Sequence, residues 1–450
     1  MSLIAALPGI LEECRIEYER LLNKNIIDLN ISEIVNKPEN RLVKGDNLEY
    51  MKYLLKAENM AGKINLIYVD PPFFSKADYG KQIKLESNKS DKTLKMQQLA
   101  YVDTWENGLE DYLKMLTVRF FMMKDLLCEE GCLWVHLDWH AVHYVKIILD
   151  EIFGADNFVN EVVWNYKSGG VSKKRFSRKH DTLLFYSKTQ NYYFKPQKEK
   201  SYNRGFKPYR FKGVKEYQDE IGWYTMVNMK DVWQIDMVGR TSGERTGYAT
   251  QKPEILLERI LESCSKEGDL CADFFGGSGT LASVANKMNR NWISCDKGEA
   301  SFLNSHKRLI NEEAKYAVYE TNLRKQRYTN IEEGIDINIQ IEEANTNNKE
   351  KLLKVKFISY RPKYIEDIQF LKNISKDMRM ILQEDSLQLI DFWSIDTDYD
   401  GQIFKSSENF IRTKNGIKLE YEKKGQNIGA AVCIRIIDVF GYSNFIVFDS

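Results

Sequence analysis

The feature that most constrains this chain is a short run, Ile64-Asn65-Leu66-Ile67-Tyr68-Val69-Asp70, that stops against Pro71 and Pro72. A β-branched, apolar run of this length is the profile of a strand buried on both faces, and proline cannot continue a central strand, so the run predicts a buried parallel strand ending in a loop. The residues beyond it keep the same grammar. Residues 108–131 have helical apolar spacing and close on Gly131, residues 132–138 read as a strand, and residues 141–154 read as a second helix closed by Gly154. A similar unit returns late: a helix over 253–268, a strand over 269–275, a glycine-rich turn, a helix over 280–290 and a strand over 291–296. Regular alternation of this kind predicts an α/β fold with a doubly wound sheet, in two halves separated by the segment between them.

The flanks read differently. Residues 1 to 40 are expected to be an amphipathic helical extension that ends near Pro38. After about residue 325 the texture is mostly strands, over 335–343, 351–360, 418–423 and 431–449, with a short helical stretch between them; this predicts a separate, small β-rich C-terminal domain resembling a sandwich. The boundaries are then 1–40 for the extension, 41–165 and 246–325 for the two halves of the core, 166–245 for the inserted region and 326–450 for the tail.

A chain of 450 residues, 43% of them hydrophobic, can bury the cores of two or three such domains. Its opening residues lack a basic leader and carry acids where a signal peptide stays apolar. No apolar run approaches the roughly 18 residues that span a bilayer, so the expectation is a soluble protein without a membrane partner. The seven cysteines (Cys14, Cys128, Cys132, Cys264, Cys271, Cys295 and Cys433) are odd in number and form no CxxC pair, which fits a reducing, cytoplasmic setting better than a disulfide framework.

The formal net charge of +0 hides a segregation by segment. From Tyr166 to Glu216 fifteen Lys or Arg face three acids, Asp181, Glu199 and Glu216, with aromatic residues interleaved, whereas the last 120 residues carry twenty acids against sixteen bases. The basic segment has the character of a footprint for a phosphate backbone, with Lys173, Lys174, Arg175, Arg178 and Lys179 as candidate DNA contacts; a solvated, lysine-rich surface insertion fits the same composition.

Two motifs carry chemistry. Asp70-Pro71-Pro72-Phe73 stands where ligands of open α/β sheets are met, at the carboxyl end of a strand. An adenine amine is a poor nucleophile because its lone pair is delocalised into the ring. A catalyst should hold its two N–H bonds with acceptors and draw the nitrogen towards tetrahedral geometry: Asp70 offers a carboxylate and Pro71 a carbonyl whose direction the prolines fix. A base stacked in a duplex must be flipped out to react, and Phe73 offers a ring to stack on. Taken alone, the string also fits a structural turn. The second motif, Asp273-Phe274-Phe275-Gly276-Gly277-Ser278-Gly279-Thr280, joins a strand to a helix, so backbone can approach a ligand and the helix amino end favours a carboxylate. Asp296, at the end of the next strand, is placed to receive ribose hydroxyls. The full G-x-G-x-x-G spacing of a dinucleotide site is absent, so adenosine without a pyrophosphate fits better.

With these residues in view, the order DPPF, basic insertion, TQKPEILLERI, FFGGSGT resembles the β-class amino-methyltransferases of DNA, and is especially similar to adenine-specific modification subunits of type III restriction-modification systems. The resemblance covers about residues 41–325. It implies a sequence-permuted methyltransferase fold, S-adenosyl-L-methionine as the donor, the N6 amine of adenine in double-stranded DNA as the acceptor, and a target-recognition segment at about 166–245. It also implies a homodimer and a restriction subunit as candidate partners. Asp70, Pro71 and Phe73 match the catalytic motif, with Pro72 between them. Asp273, Phe275, Gly277 and Gly279 match the cofactor loop and Asp296 the ribose acid. Asp46 matches a position near the cofactor, and Thr250, Lys252 and Pro253 a motif packed beneath it. Many relatives have Tyr in place of Phe73 and Glu in place of Asp296; a ring and a carboxylate remain.

His136, Asp138, His140 and His143 invite a metal-site reading, but they span a strand end and a helix start, no cysteine completes a set, and an activated sulfonium donor needs no metal. Met115, Phe120, Met122 and Met123 read as core packing. Three functions stay open: an adenine methyltransferase of duplex DNA; the same fold acting on a cytosine amine, on RNA or on a free nucleoside, where Asp70 speaks against cytosine because cytosine-amine enzymes of the family usually carry Ser there and the basic segment speaks for a polymer; and a DNA-binding specificity subunit without catalysis, against which an intact Asp70 and glycine loop speak.

Overall fold

In the computed structural model, residues 3–75, 78–86, 93–105, 108–168, 171–321, 335–343, 351–361, 386–413, 415–425 and 428–449 are described. The centre is an eleven-stranded mixed sheet. Its order runs Val232–Gln234, Phe158–Asn165, His180–Ser187, Leu127–Leu137, Ile64–Val69, Leu270–Asp273, Asn291–Asp296, Asn40–Lys44, Tyr316–Thr321, Leu29–Val35 and Phe404–Ser406. From Leu127–Leu137 through to Tyr316–Thr321 every neighbouring pair is parallel. His180–Ser187 is antiparallel to both of its neighbours.

The Ile64–Val69 strand lacks polar alternation because both of its faces are covered. Ile64, Ile67 and Val69 join one apolar cluster with the helices Leu3–Asn23, Asn47–Lys56, Leu109–Leu126 and Val142–Phe153. Leu66 and Tyr68 join a second cluster with the helices Glu254–Cys264, Thr280–Lys287 and Glu299–Asn311. This is a helix–sheet–helix sandwich. Register brings Leu66 and Ile67 opposite Cys271 and Ala272, so the strand that ends at Asp70 lies beside the one that ends at Asp273, some 200 residues later in the chain.

Four expectations need correction. The N-terminal extension is helical only over Leu3–Asn23; Leu29–Val35 is a strand of the main sheet, antiparallel to Tyr316–Thr321, a partner that no local pattern could announce. The helix read over 108–131 ends at Leu126, and the strand begins at Leu127 rather than at Cys132: Leu127 pairs with Ile64, and the register shifts after that pair, with Glu129 and Glu130 exposed and Gly131 buried again. The region 166–245 is not one insertion, since His180–Ser187 and Val232–Gln234 belong to the main sheet; only the three-stranded sheet of Lys198–Tyr202, Glu216–Gln218 and Trp223–Asn228 stands apart.

The fourth concerns the tail. Its two sheets, one of Ile335–Glu343, Lys351–Tyr360 and Glu420–Gly425 and one of Glu408–Ile411, Ile390–Asp396, Ala431–Asp438 and Ser443–Asp449, share one apolar core. It is nevertheless knitted to the core domain: Phe404–Ser406 pairs with Leu29–Val35, and Phe392 and Ile437 pack into the second apolar cluster. Most of the residues between Tyr360 and Ile390, where the short helical stretch is expected, lie outside the described set.

Candidate active site

The parallel strands deliver Asp70, Asp273 and Asp296 to one edge of the sheet, and a cavity of about 530 Å³ opens there. Its walls include Asp46, Asp70, Pro71, Pro72, Phe73, Lys252, Asp273, Phe274, Phe275, Gly276, Gly277, Ser278, Thr280 and Asp296. Most residues singled out in the two motifs thus meet in one place. Thr250 also lines it; Gly279 and Pro253 stand just behind, as the residues before the helices Thr280–Lys287 and Glu254–Cys264. The volume is in the range of small-molecule and cofactor sites.

Lys252 holds the two motifs together. Its Nζ donates to Asp70 Oδ2 at 2.5 Å and lies 5.1 Å from the centre of the Phe73 ring, while its carbonyl accepts from Thr280 Oγ1 at 3.2 Å. Asp70 Oδ1, by contrast, is buried with no hydrogen-bond partner among the described residues. A buried carboxylate oxygen without a hydrogen bond, 4.0 Å from His136 Nδ1, is an acceptor short of a donor.

The floor under Asp70 is a polar chain that sequence reading did not find. Tyr68 OH is 2.9 Å from His136 Nδ1, His136 Nε2 is 3.2 Å from Asp181 Oδ2, and Tyr166 OH donates to Asp181 Oδ1 at 3.0 Å. Burial works to raise the Asp181 carboxyl, but the hydrogen bond and charge of His136, the charge of Lys252 and the Tyr166 hydroxyl carry it below the usual range. His136 is fully buried with its ring against Phe73 and Trp164. Among the described residues no group of three or more His, Cys, Asp or Glu is placed to hold a metal ion; His140 instead pairs with Asp138, its Nδ1 2.7 Å from Asp138 Oδ2.

The loop after Phe73 is fastened by Asp103, also missed. This fully buried carboxylate accepts from Phe74 N, Ser75 N, Ser75 Oγ and Trp105 Nε1 at 2.6–3.2 Å. Phe74 sits at φ +61°, a conformation that a non-glycine residue adopts only when its surroundings impose it.

At the cofactor end, Gly277 N and Gly298 N donate to Asp296 at 2.9 and 2.7 Å, and burial raises that carboxyl above the usual range against their pull. Burial also lifts Asp273 well above it, while Phe275 N donates to its Oδ1 at 2.9 Å. Gly276 has no room for a side chain, since a β-carbon would collide with Ser294 Oγ. Asp46 caps the Asn47–Lys56 helix, accepting from Leu48 N at 2.9 Å. Beside it stands Arg119, whose Nε donates to Asn47 Oδ1 at 2.6 Å. A single arginine in the apolar helix Leu109–Leu126 was the signal that could have found it.

The basic residues named from composition lie on a connection leaving the same sheet edge, since Phe158–Asn165 runs parallel to the strand carrying Val135 and His136 by way of its antiparallel neighbour. Lys173, Lys174, Arg175 and Arg178 are exposed there, and Lys179 is half-buried with its Nζ on Ser168 O at 2.8 Å. Arg178 stacks 3.4 Å above the ring of Trp139.

An α/β sheet that gathers three carboxylates, a glycine loop and an aromatic-lined acceptor at its carboxyl edge belongs to the class of proteins that bind a nucleoside-like cofactor beside a second substrate. The family model described as DNA methylase, of the N6 and N4 amino-methyltransferases, matches residues 64–306, more than half of the chain, and the protein belongs to that family. It is thus a DNA methyltransferase, and its methyl donor is S-adenosylmethionine.

Among curated relatives, type II methyltransferase M.HpaI of Haemophilus parainfluenzae is 26% identical over 274 residues, 61% of this chain and 75% of that protein. Type II methyltransferase M2.DpnII of Streptococcus pneumoniae is 26% identical over 281 residues, 61% of this chain and 91% of that protein. A solved structure, a putative DNA modification methylase from Thermus thermophilus complexed with S-adenosyl-L-methionine, aligns with a TM-score of 0.40 at 15% identity, covering 63% of this chain and 98% of that one. Among the described residues no helix is long and apolar enough to cross a membrane.

Proposed function

We propose that the protein is a site-specific adenine methyltransferase that modifies the N6 amine in double-stranded DNA, as the modification component of a restriction-modification or related defence system. The observation that carries this reading is the buried Asp70 Oδ1, without a hydrogen bond among the described residues, in the cavity that Phe73 also lines. A flipped adenine stacks on Phe73 and gives one amine N–H to Asp70 and the other to the Pro71 carbonyl, which pulls the nitrogen lone pair out of conjugation. Lys252, on Asp70 Oδ2, orients the carboxylate while leaving Oδ1 for the amine. A carboxylate at this position favours adenine over cytosine, because cytosine-amine enzymes of the resembled class usually carry Ser there.

The residues opposite fit the donor. Asp296 uses both oxygens on backbone N–H groups and keeps lone pairs for ribose hydroxyls. The bare backbone at Gly277 lets a ligand approach closely, and the amino end of the Thr280–Lys287 helix, with Arg119 across the cavity, suits the amino-acid carboxylate. Bound S-adenosylmethionine supplies an electrophilic methyl group. This chain's residues orient the amine towards it and accept the proton that the methylated nitrogen releases, at Asp70 or water. Kinship with type III modification subunits is carried by the order of the motifs alone, and a homodimer and a restriction subunit remain the proposed partners.

The test is transfer of labelled methyl to unmethylated genomic DNA with mapping of the modified base. Methyl-adenine in one short motif is expected, with Asp70→Ala lowering the rate on the order of 10²–10³-fold or more while DNA still binds. Methyl-cytosine, or activity that survives the substitution, would sink this mechanism.

A further inference from the structure

The three-stranded sheet of Lys198–Tyr202, Glu216–Gln218 and Trp223–Asn228 is rooted at one end. There Gln197 Nε2 donates to Arg259 O at 2.6 Å and to Ser263 Oγ at 2.7 Å, next to the Lys198–Asn228 pair. At the far end, beyond the Tyr202–Tyr224 pair, the chain forms a loop facing solvent. Phe206, Tyr209 and Phe211 are 53, 42 and 61% exposed. Arg204, Lys207, Arg210, Lys212 and Lys215 are exposed as well, with no acid between them, and none has an ion-pair partner within 4 Å among the described residues.

A loop of this composition buries too little to hold itself, yet it is held. Tyr209 N and Arg210 N each donate to the Glu216 carboxylate at 2.8 Å, and Asn203 Nδ2 bridges Glu216 Oε1 at 2.7 Å and the Lys207 carbonyl at 3.0 Å. Arg204 N donates to Tyr209 OH at 2.5 Å. Phe206 and Arg210 are kept at φ +57°, a conformation that non-glycine residues adopt only where their surroundings impose it. Glu216 accepts from the backbone that shapes the loop, while Asp219 nearby pairs with Lys200 and accepts from Tyr202 OH.

We propose that residues 204–215 are a preorganised contact surface for duplex DNA, with Glu216 as the residue that positions it. This rests on the DNA methyltransferase reading above and adds where the duplex is gripped: unpaired cations match phosphates, and exposed rings match sugars and base edges. A loop already in its bound shape loses less entropy on association.

Charge and shape predict opposite signs for one substitution. Glu216→Ala removes a negative charge, so electrostatics alone would tighten DNA binding; a held loop requires it to weaken, by about tenfold. Fluorescence anisotropy with a labelled random-sequence duplex measures this across a salt series, with S-adenosylmethionine affinity and thermal midpoint as controls of the fold. The triple variant Lys207→Ala, Arg210→Ala, Lys212→Ala should lower the slope of log affinity against log salt by about 3. Unchanged or tighter binding by Glu216→Ala overturns the held loop, and an unchanged slope in the triple variant overturns the contact surface. Wild-type protein that binds no duplex at all would instead refute the DNA reading on which both stand.

Discussion

Asp103 shows how much of a reactive geometry can depend on a residue that never meets the substrate. Its carboxylate gathers Phe74 N, Ser75 N, Ser75 Oγ and Trp105 Nε1, and so fixes the turn by which the chain leaves Phe73. Asp103→Ala would take away the acceptor that two backbone donors use and release a left-handed Phe74, costing about 2–4 kcal/mol of local stability. Because Phe73 is the proposed stacking ring, single-turnover methyl transfer should slow by about tenfold while S-adenosylmethionine binding is kept. A variant with lower thermal stability and an unchanged rate would make Asp103 structural only. Nothing in Tyr101-Val102-Asp103-Thr104-Trp105 marks its aspartate in the sequence, since its partners lie 28 and 29 residues earlier. Asp70, Asp273 and Asp296 were legible for the converse reason, as each terminates an apolar run on its own strand.

At the scale of elements, the strand-to-helix connection 273–280 is where backbone shape matters most. Gly279 stands at φ +70°, and a β-carbon there would lie 2.8 Å from Ser305 Oγ and 2.9 Å from Ser305 Cβ, on the helix Glu299–Asn311. Gly279→Ala therefore meets both an unfavourable dihedral and a packed neighbour, and the loop must shift away from Asp296. We expect S-adenosylmethionine affinity to fall by about tenfold or more, with a loss of roughly 1–2 kcal/mol of stability. Calorimetric titration of the donor would decide: an affinity equal to wild type would mean that the loop does not shape the cofactor site. The elements that announce themselves are those whose burial pattern is local, such as Asn291–Asp296 and Glu254–Cys264. Leu29–Val35 and His180–Ser187 stayed hidden because each is defined by a partner on another part of the chain. The basic flanks of His180–Ser187 also masked a strand buried from Asp181 to Ser187.

Over the whole molecule, the C-terminal domain is joined to the catalytic sheet by buried charge as well as by strand pairing. Arg435, fully buried, donates to Glu33 on the Leu29–Val35 strand and, at 3.2 Å, to Glu320 on Tyr316–Thr321. Three residues on, Asp438 closes the same strand, accepting from Phe440 N and Tyr442 N while Tyr360 OH donates to it at 3.0 Å. Burial nonetheless pushes its carboxyl up to about 7, the backbone and Tyr360 bonds working against that rise. The folded chain then holds this proton more tightly than the unfolded chain does. The stabilisation from this group is complete below the ordinary carboxylate range and is lost as pH rises through about 7. Asp438→Asn removes the titration while keeping an acceptor for the two N–H groups. Relative to this variant, wild type should lose up to about 1.4 kcal/mol per pH unit between the two values. Urea unfolding of both proteins from mildly acidic to neutral pH reads the difference directly; a gap that stays constant with pH would show that Asp438 titrates alike in both states, and that the domain junction tolerates its charge.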